Sequence, residues 1–519
     1  MKTAAHLKLT MVITGLVCGA RAPLPCCAEG LHVFSEKADQ MMSRPEYRHG
    51  RLGYEILSLD TGVVLAARNE NEFFGPASTT KLLTVATTLA VLGPDYRFHT
   101  KVYKSGTVQN GVLHGDLILV ASGDPNLSGR LRPDGTLAFE NEDHSYGGRS
   151  VEGDPLQVLR LLASQVAQKG IHHIDGQIRV DVRMFPEGER EAGTNVVISP
   201  MALNDNLVDI EIQAGKHGDP ISITPYPATS YVQVANDTSV IPSGGVATVR
   251  INEDAASSST RRILKITGAI PEGAEVHLAY RVPSPSTFAA IAFADVLNQQ
   301  GVINSAGPYA ATTFPVGAVY SAGDKVAEYS SPPLREAVRV ILKVSQNLQS
   351  CILLKDIGAL RGSGNGSADS KAFALQRKWL SGAGLDLEAV TGKTGADTGA
   401  LTPDFMVKFL AYTYRQDFFP TIEAGLPVLG VDGSLADTQR ATSAVGHVRA
   451  KTGTDMSQNP LGENSIVTAK GLAGYITTRQ GHHLAFALYS GGVLGNPREI
   501  GERMSNDLGA LAAAAYEEF

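Results

Sequence analysis

Hydrophobic patterns near both ends of the chain predict one set of strands and helices. Residues 53–60 and 63–68 are rich in apolar side chains and flank the turn Asp60-Thr61-Gly62, which predicts two paired strands. An apolar run over 82–92 ends at Gly93-Pro94 and predicts a helix. Toward the C-terminus, three strands and one amphipathic helix are predicted at 447–454, 471–478, 483–489 and 498–514.

The middle of the chain is rich in glycine, aspartate and β-branched residues. Four alternating segments within 231–282 have the spacing of a small all-β module, and helices are predicted over 286–300, 334–359 and 404–414. Because strands lie at both ends with a β-rich block between them, the sequence predicts one α/β domain that hosts a large insertion. The predicted division is a catalytic domain over 29–95 and 318–519, an inserted domain over 96–206 and 283–317, and a β-rich inserted domain over 207–282.

Composition places the chain among globular proteins and excludes several classes of function. Of its 519 residues, 43% are hydrophobic and 19% are charged, which excludes wholesale disorder. The formal net charge is −7 and there is no basic tract, so the electrostatic footprint of a nucleic-acid-binding protein is missing. Four cysteines are too few for a disulfide scaffold of this length.

Residues 1–28 are predicted to form a secretory signal peptide. Two lysines precede an apolar core over 9–20, and small residues follow at two candidate cleavage sites, after Ala22 or, preferably, after Ala28. An amphipathic N-terminal helix is the alternative, but polar periodicity is absent. Cleavage after Ala28 leaves Cys351 as the sole cysteine. No later stretch approaches about 18 uninterrupted apolar residues, so a periplasmic or secreted protein without a transmembrane segment is predicted.

The first candidate for chemistry is Ser78-Thr79-Thr80-Lys81, the only Ser-x-x-Lys in the chain. Residues three apart on a helix share a face, so Lys81 can reach the Ser78 hydroxyl and serve as its base. The helix N-terminus adds partial positive charge for a developing oxyanion. The alternative is an ordinary helix cap with an exposed lysine.

Two further motifs follow later in the chain. Ser345-Gln346-Asn347 directly follows residues 334–344, the first part of the helical stretch predicted over 334–359, and Lys451-Thr452-Gly453-Thr454 lies on the strand predicted over 447–454. A lysine and two hydroxyls on such a strand can bind a carboxylate while the backbone pairs with an extended peptide. A second Lys-Thr-Gly, Lys393-Thr394-Gly395, shows no strand alternation and is predicted to be a loop.

The order Ser-x-x-Lys, Ser-x-Asn, Lys-Thr-Gly is that of β-lactamases and penicillin-binding proteins. The long stretch between Ser78 and Ser345 exceeds that of class A β-lactamases. The chain resembles the class C low-molecular-mass penicillin-binding proteins, the D-alanyl-D-alanine carboxypeptidase/endopeptidases of the penicillin-binding protein 4 type. Further blocks resemble that family at Gly115-Asp116-Leu117, Ser122-Gly123-Asp124-Pro125-Asn126-Leu127, Leu203-Asn204-Asp205-Asn206 and Val431-Asp432-Gly433-Ser434-Leu435.

The resemblance implies a fold and a mechanism. The fold is the α/β serine DD-peptidase/β-lactamase-like fold, an antiparallel sheet flanked by helices and split in sequence by a large β-rich insertion. Ser78 is implied as the acylated nucleophile, Lys81 as the base, and Ser345 as the relay that passes a proton to the leaving amine. Neither a metal nor another cofactor is implied. The implied substrates are peptidoglycan stem peptides, and the implied inhibitors are β-lactams.

The resemblance also implies how substrate is bound. Asn347 would orient Lys81 and hold a substrate amide, and the backbone amides of Ser78 and Thr454 would form the oxyanion hole. Lys81 must be neutral before attack, whereas Lys451, expected to be the more solvated lysine, would keep its proton. The residues implied to bind substrate are Asn347, Lys451, Thr452, Gly453 and Thr454.

The chain departs from the family in three places. The family carries an acidic residue where this chain has Cys351, a serine is missing from the block over 391–400, and 455–469 looks like an insertion after the Lys-Thr-Gly strand. The missing acidic residue motivates one alternative, a peptidoglycan-binding scaffold with poor turnover. A β-lactamase or esterase is the other.

Overall fold

The computed structural model describes residues 25–216, 218–306, 319–396 and 398–519. The helices, in chain order, are α1 (Pro25–Met42), α2 (Lys81–Leu92), α3 (Gln157–Gln168), α4 (Pro285–Gln299), α5 (Leu334–Lys343), α6 (Asn347–Arg361), α7 (Ala368–Gly382), α8 (Pro403–Tyr414), α9 (Phe419–Gly425) and α10 (Ile500–Glu518). The strands are β1 (Arg51–Ser58), β2 (Val64–Arg68), β3 (His99–Gln109), β4 (Val112–Val120), β5 (His173–Ile174), β6 (Ile178–Asp181), β7 (Leu207–Gln213), β8 (Ser222–Tyr226), β9 (Val232–Ile241), β10 (Arg250–Glu253), β11 (Arg262–Pro271), β12 (Glu275–Arg281), β13 (Ile303–Asn304), β14 (Lys325–Ser330), β15 (Val390–Gly392), β16 (Thr398–Leu401), β17 (Val448–Gln458), β18 (Ser465–Thr477), β19 (His483–Gly491) and β20 (Val493–Gly495).

The predicted signal peptide lies outside the described residues except for its last four, which begin α1. The cleavage site after Ala28 therefore falls within a helix, and the site after Ala22 falls outside the description. In the described ranges, we find no helix that combines the length and the apolar character needed to cross a membrane.

An antiparallel sheet built from both ends of the chain forms the centre of the molecule, in the order β17-β18-β19-β1-β2 with β20 beside β18. Alternate residues of β19 enter different cores, because side chains on a strand point to opposite faces in turn. Leu484, Phe486 and Leu488 pack with α1 and α10. Ala485, Ala487 and Tyr489 pack with α2 and α8. The sheet is thus covered by helices on both faces.

The central segment of the chain, from β3 to β14, forms separate sheets. One is ordered β13-β5-β4-β3-β14 with β6 on β4, and two three-stranded sheets are ordered β10-β11-β9 and β12-β7-β8. The four segments predicted as strands within 231–282 form β9 to β12, but they do not share one sheet, because β12 pairs with β7 while β9, β10 and β11 form a sheet of their own. Alternation defines which face of a strand is buried but leaves its partner open.

Two further local differences bear on the site. The helix predicted over 334–359 is two helices, α5 and α6, broken at Ser345, whose φ of 62° is incompatible with a right-handed helix. The predicted insertion over 455–469 extends β17 and β18 into a longer hairpin, with a bulge after Asp455.

Candidate active site

Ser78 lies in a tight 3₁₀ turn, Ala77–Thr80, that leads directly into α2. Two contacts of Thr79 hold the turn in place. The Thr79 hydroxyl donates to the Pro76 carbonyl at 2.9 Å and lies 3.1 Å from the Tyr489 hydroxyl. Ala77 has a φ of 46°, a conformation that non-glycine residues adopt at some energetic cost. Ser78 is half-buried, so it remains partly accessible to solvent.

Lys81 is the first residue of α2 and is fully buried. Its Nζ donates to the Ser78 hydroxyl at 2.7 Å and to the Ser345 hydroxyl at 3.1 Å, and it also donates to Asn347 Oδ1. The first two motifs, far apart in sequence, therefore meet at one amine. A hydroxyl beside a buried amine is the arrangement that activates a serine nucleophile.

The second motif owes its position to a break between two helices. The left-handed backbone of Ser345 ends α5, and Gln346 caps α6 by accepting the Gln349 amide at 3.0 Å. Asn347 is then the first residue of α6 and faces Lys81. Strained backbone at both Ala77 and Ser345 places conformational cost at the site itself, as functional sites often do.

The third motif lies on β17 and packs against the first. A Cβ on Gly453 would lie 2.5 Å from the Pro76 carbonyl oxygen and 3.0 Å from the Ser78 nitrogen, so only glycine permits this approach. Thr452 Oγ1 lies 2.7 Å from the Ser434 hydroxyl. The other Lys-Thr-Gly lies in the turn between β15 and β16, with Lys393 exposed.

Thr454 is exposed at the edge of the cleft, and a lysine of β18 supports it. The Nζ of Lys470 donates to Thr454 Oγ1 at 2.7 Å and to the Gly501 carbonyl at 3.0 Å. Burial lowers the pKa of Lys470 to about 8. Lys470 therefore adds a buried amine whose charge depends on pH near the hydroxyl of the third motif.

The expected solvation of Lys451 is wrong, because Lys451 and Lys81 are both fully buried. Burial lowers the pKa of Lys451 well below its ordinary value, and the positive charges of Lys81 and Lys470 lower it further. Its Nζ donates to the Thr452 carbonyl at 2.7 Å. Strand alternation places Lys451 on the same face as Arg449, opposite Val448 and Ala450, and it carries no information on whether other parts of the chain cover that face.

Two side chains of the central segment reach the site and were missed from the sequence. The Nδ2 of Asn347 donates to the Tyr146 hydroxyl at 2.9 Å and to Glu191 Oε2 at 3.0 Å. Glu191 is buried, whereas 57% of Tyr146 is exposed. Desolvation of the Tyr146 hydroxyl first, and then the charges of Glu191 and Asp143, raise the pKa of Tyr146. Neither residue belongs to a motif, and their approach depends on the docking of distant loops.

Ser434, which contacts Thr452, lies in a block that resembles the family but is not among the site residues predicted from the sequence. The block is held by Lys343, whose Nζ contacts both carboxylate oxygens of Asp432 at 2.7 and 2.6 Å. Cys351 is buried as predicted, and burial raises the pKa of its thiol to about 12. A thiol in that state is a poor nucleophile.

Comparison with known proteins identifies the family of the chain. The family model described as D-Ala-D-Ala carboxypeptidase 3 (S13) matches residues 34–512. A D-alanyl-D-alanine carboxypeptidase from Actinomadura sp. (strain R39) is 27% identical over 483 residues, covering 88% of this chain and 80% of the relative. D-alanyl-D-alanine carboxypeptidase DacB from Haemophilus influenzae is 23% identical over 457 residues, covering 85% of each chain.

A solved structure shows the same fold. The crystal structure of penicillin binding protein 4 (dacB) from Haemophilus influenzae superposes with a TM-score of 0.68 at 21% identity, covering 93% of this chain and 99% of that chain. The predicted fold class is thereby confirmed. With the family model spanning nearly the whole sequence, the chain belongs to the D-Ala-D-Ala carboxypeptidase 3 (S13) family of serine peptidases.

Proposed function

We propose that this protein is an exported serine-type D-Ala-D-Ala carboxypeptidase/endopeptidase that cleaves peptidoglycan stem peptides through an acyl-enzyme on Ser78. The observation that carries the proposal is the single amine of Lys81, which contacts both Ser78 and Ser345. A periplasmic or secreted location, given by the predicted signal peptide, brings the protein to this substrate. β-Lactams, which present a strained amide and a carboxylate, would acylate the same serine.

Acylation begins when Ser78 Oγ attacks the carbonyl carbon of the penultimate D-alanine. The Ser78 proton passes to the neutral amine of Lys81, and the oxygen of the carbonyl becomes an oxyanion. The amides of Ser78 and Thr454 are the proposed donors to that oxyanion. The C–N bond then breaks, and a proton relayed from Lys81 through Ser345 leaves with the amine of the terminal D-alanine.

Deacylation restores the enzyme. A water molecule attacks the ester carbon and gives its proton to the amine of Lys81, and Ser78 recovers a proton when the ester bond breaks. The products are the shortened peptide with a new carboxylate and the free serine. In an endopeptidase reaction the leaving amine belongs to a cross-linked peptide instead of free D-alanine, and the bonds broken and formed are otherwise the same.

Substrate binding is proposed at the edge of β17. Thr452 and Thr454 present hydroxyls to the terminal carboxylate, and Lys451 lies buried directly behind them. An incoming carboxylate would place a negative charge beside this lysine, so substrate binding favours protonation of Lys451. The free-energy cost of a protonated, buried Lys451 is therefore offset when a substrate carboxylate lies beside it.

We also propose the division predicted from the sequence. The catalytic domain comprises 29–95 and 318–519, and the two inserted domains comprise 96–206 with 283–317 and 207–282. One sheet joins both chain ends, which supports this division, but β14 (Lys325–Ser330) pairs with β3 in the sheet of the inserted domain and so lies beyond the boundary predicted at 318.

The decisive variant is Ser78→Ala. It should abolish covalent labelling by a fluorescent penicillin while circular dichroism and melting temperature stay those of the wild type. Ser381→Ala, which changes an exposed serine of α7, is the control and should label normally. Labelling of the Ser78→Ala protein would show that another residue is the nucleophile.

Digestion of purified muropeptides, read by mass spectrometry, separates the remaining functions. Loss of a terminal D-alanine indicates the carboxypeptidase, and conversion of cross-linked dimers to monomers indicates the endopeptidase. A stable penicillin label without peptide cleavage would favour the scaffold, and rapid loss of the label would favour a β-lactamase or esterase.

A further inference from the structure

The side-chain amide of Asn347 faces two different environments. Its Oδ1 accepts from Lys81, and its Nδ2 donates to Glu191 Oε2 at 3.0 Å and to the Tyr146 hydroxyl at 2.9 Å. An amide nitrogen carries two hydrogens, so both are used. Every polar atom of this amide therefore has a partner before substrate arrives.

Glu191 itself is held by four donors. Its Oε2 accepts from the Gly193 amide at 2.7 Å and from Asn347, while Oε1 accepts from the amide and the hydroxyl of Thr194. The residue is only 3% exposed. A carboxylate offers acceptors at both oxygens, whereas a glutamine must present an NH₂ group at one of the two positions. The loop around Glu191 is thus built to hold a carboxylate against Asn347.

Glu191 also lies near the position where the sequence lacks an acidic residue. After burial, its negative charge is the next cause that raises the pKa of the Cys351 thiol. Cys351 is on α6, one turn after Asn347. A carboxylate from the central segment therefore reaches the part of α6 that has no acidic side chain of its own.

A lysine base creates a problem for any neighbouring amide. When Lys81 is neutral, its lone pair must remain free to take the Ser78 proton. An asparagine beside it can turn over and donate its NH₂ to that lone pair, which would occupy the base. In the turned orientation, however, Oδ1 would face the Glu191 carboxylate, and two acceptors would meet in a buried site.

We propose that Glu191 is a positioning residue that keeps Oδ1 of Asn347 toward Lys81 throughout the reaction. Its carboxylate fixes Nδ2, so the amide cannot turn and the lone pair of Lys81 stays available to Ser78. Glu191 touches no reacting atom and acts through Asn347. The inference rests on the proposed acylation of Ser78 and adds to it a residue outside the three motifs.

The test is the acylation rate constant of the full-length protein with a fluorescent penicillin, measured by stopped flow for Glu191→Gln, Asn347→Ala and the double variant. Glu191→Gln should lower the rate constant about tenfold or more, the scale of a mispositioned catalytic group. The dissociation constant of the initial non-covalent complex should stay within about twofold. In the Asn347→Ala background the glutamine substitution should have no further effect.

Thr194→Val is the matched control. It removes one hydrogen bond to Oε1 of Glu191 but leaves the contact with Asn347, so acylation should stay within about threefold of wild type. Equal losses in Thr194→Val and Glu191→Gln would assign the effect to loop stability and overturn the proposal. An unchanged rate in Glu191→Gln, or an equal loss in the Asn347→Ala background, would overturn it as well.

Failure of the proposed function has a different signature. If the wild type is not acylated, the acyl-enzyme proposal fails whatever Glu191 does. The positioning role is then read from melting temperatures of the same four proteins. Non-additive shifts of Glu191→Gln and Asn347→Ala show that the carboxylate holds the amide, and additive shifts refute it.

Discussion

In two buried groups of charged residues, the pKa values of the cations are shifted in opposite directions. The lysine cluster of the active site contains Lys81, Lys451 and Lys470, all buried. The ion network of the central segment contains five residues, also buried, and they are Arg130, Asp143, His144, Asp205 and Asp209. Burial opposes the cation in both places, yet the pKa of Lys451 is lowered while that of His144 is raised well above its ordinary value.

The difference lies in the carboxylates. Arg130 Nη2 contacts Asp205 at 3.0 Å and Asp143 at 3.4 Å, and the ring of His144 contacts Asp205 and Asp209 at 2.9 Å each. Asp209 and Asp205 outweigh burial at the imidazole, and the cations lower the pKa of Asp205 against burial. Ligand atoms of Asp143, His144 and Asp205 lie within 4.8 Å of one another, but the guanidinium of Arg130 already contacts both carboxylates.

The neighbours of a buried cation decide whether it contributes to stability or to chemistry in this protein. A buried cation with carboxylate partners keeps its proton, whereas buried cations that lie near one another release protons easily. The two groups touch through α6, because Gln349 Nε2 donates to Asp205 Oδ1 at 2.8 Å, two residues beyond Asn347. The ion network thereby supports the helix that presents Asn347 to Lys81.

The largest expected effect comes from breaking the ion network. Arg130→Met leaves Asp143 and Asp205 without their arginine and should lower the free energy of unfolding by about 3–5 kcal/mol, the cost of an uncompensated buried charge. Urea denaturation monitored by circular dichroism measures it. Arg132→Met, at an exposed neighbour, should change stability by less than about 0.5 kcal/mol. Similar losses in both variants would show that the network stabilises nothing.

The lysine cluster should respond in the opposite way. Lys451→Met removes a buried amine that is costly to charge, so the melting temperature should stay constant or rise. Peptide hydrolysis should fall about 10²-fold or more, the scale for loss of an electrostatic contact at the reacting centre. Lys393→Met, in the exposed second Lys-Thr-Gly, should keep most of the activity. Retained activity in Lys451→Met would contradict the choice of site.

The sequence predicts the central sheet and the three motifs for clear reasons. Apolar runs such as 483–489 mark strands wherever they pair, and the motifs combine chemically special residues within four positions. It misses the pairing of β12 with β7, because alternation does not identify partners. It also does not predict α1 and α7, which belong to no motif.

One cause explains why the sequence does not predict that Tyr146 and Glu191 lie at the site. Tyr146 and Glu191 reach Asn347 only because the folded central segment docks beside α6. Nothing within a few residues of either one indicates such a contact. The burial of Lys451 was missed for the same reason, since its cover comes from other parts of the chain. Local sequence identifies candidate reacting groups, and long-range packing determines which side chains contact them and shield them from water.

The two groups of charges should also differ in how they make the free energy of unfolding depend on pH. The pKa of Lys470 is about 8 in the folded protein against 10.5 for the free side chain, because of burial. Between these values the unfolded chain binds more protons, so this lysine makes the free energy of unfolding rise with pH, by about 2 kcal/mol from pH 8 to 10. Lys470→Met should reduce that rise. Identical pH slopes in melts of both proteins would contradict the lowered pKa.

His144 should show the reverse sign. Its pKa is raised in the folded protein, so its stabilisation is complete below about pH 6.5 and disappears as pH rises through the folded value. The two groups of charges therefore bias stability toward opposite ends of the pH scale. A variant of either group changes one slope and leaves the other.

The last prediction concerns the pH dependence of acylation, where the lysine cluster acts as a unit. Acylation should accelerate as the base loses its proton and slow again as the cation behind Thr452 is lost, which gives a bell-shaped profile belonging to the coupled lysines. Because the pKa of Lys451 is lowered by burial and by Lys81 and Lys470, the alkaline limb should lie below the ordinary range of lysine.

Lys451→Arg should move that limb upward by about one pH unit or more, since arginine stays charged. Stopped-flow acylation with Lys393→Arg as control measures the shift, and an unmoved limb would assign it to another group. A profile flat from about pH 6 to 10 would remove the lysine base from the mechanism even if Ser78 carries the acyl group.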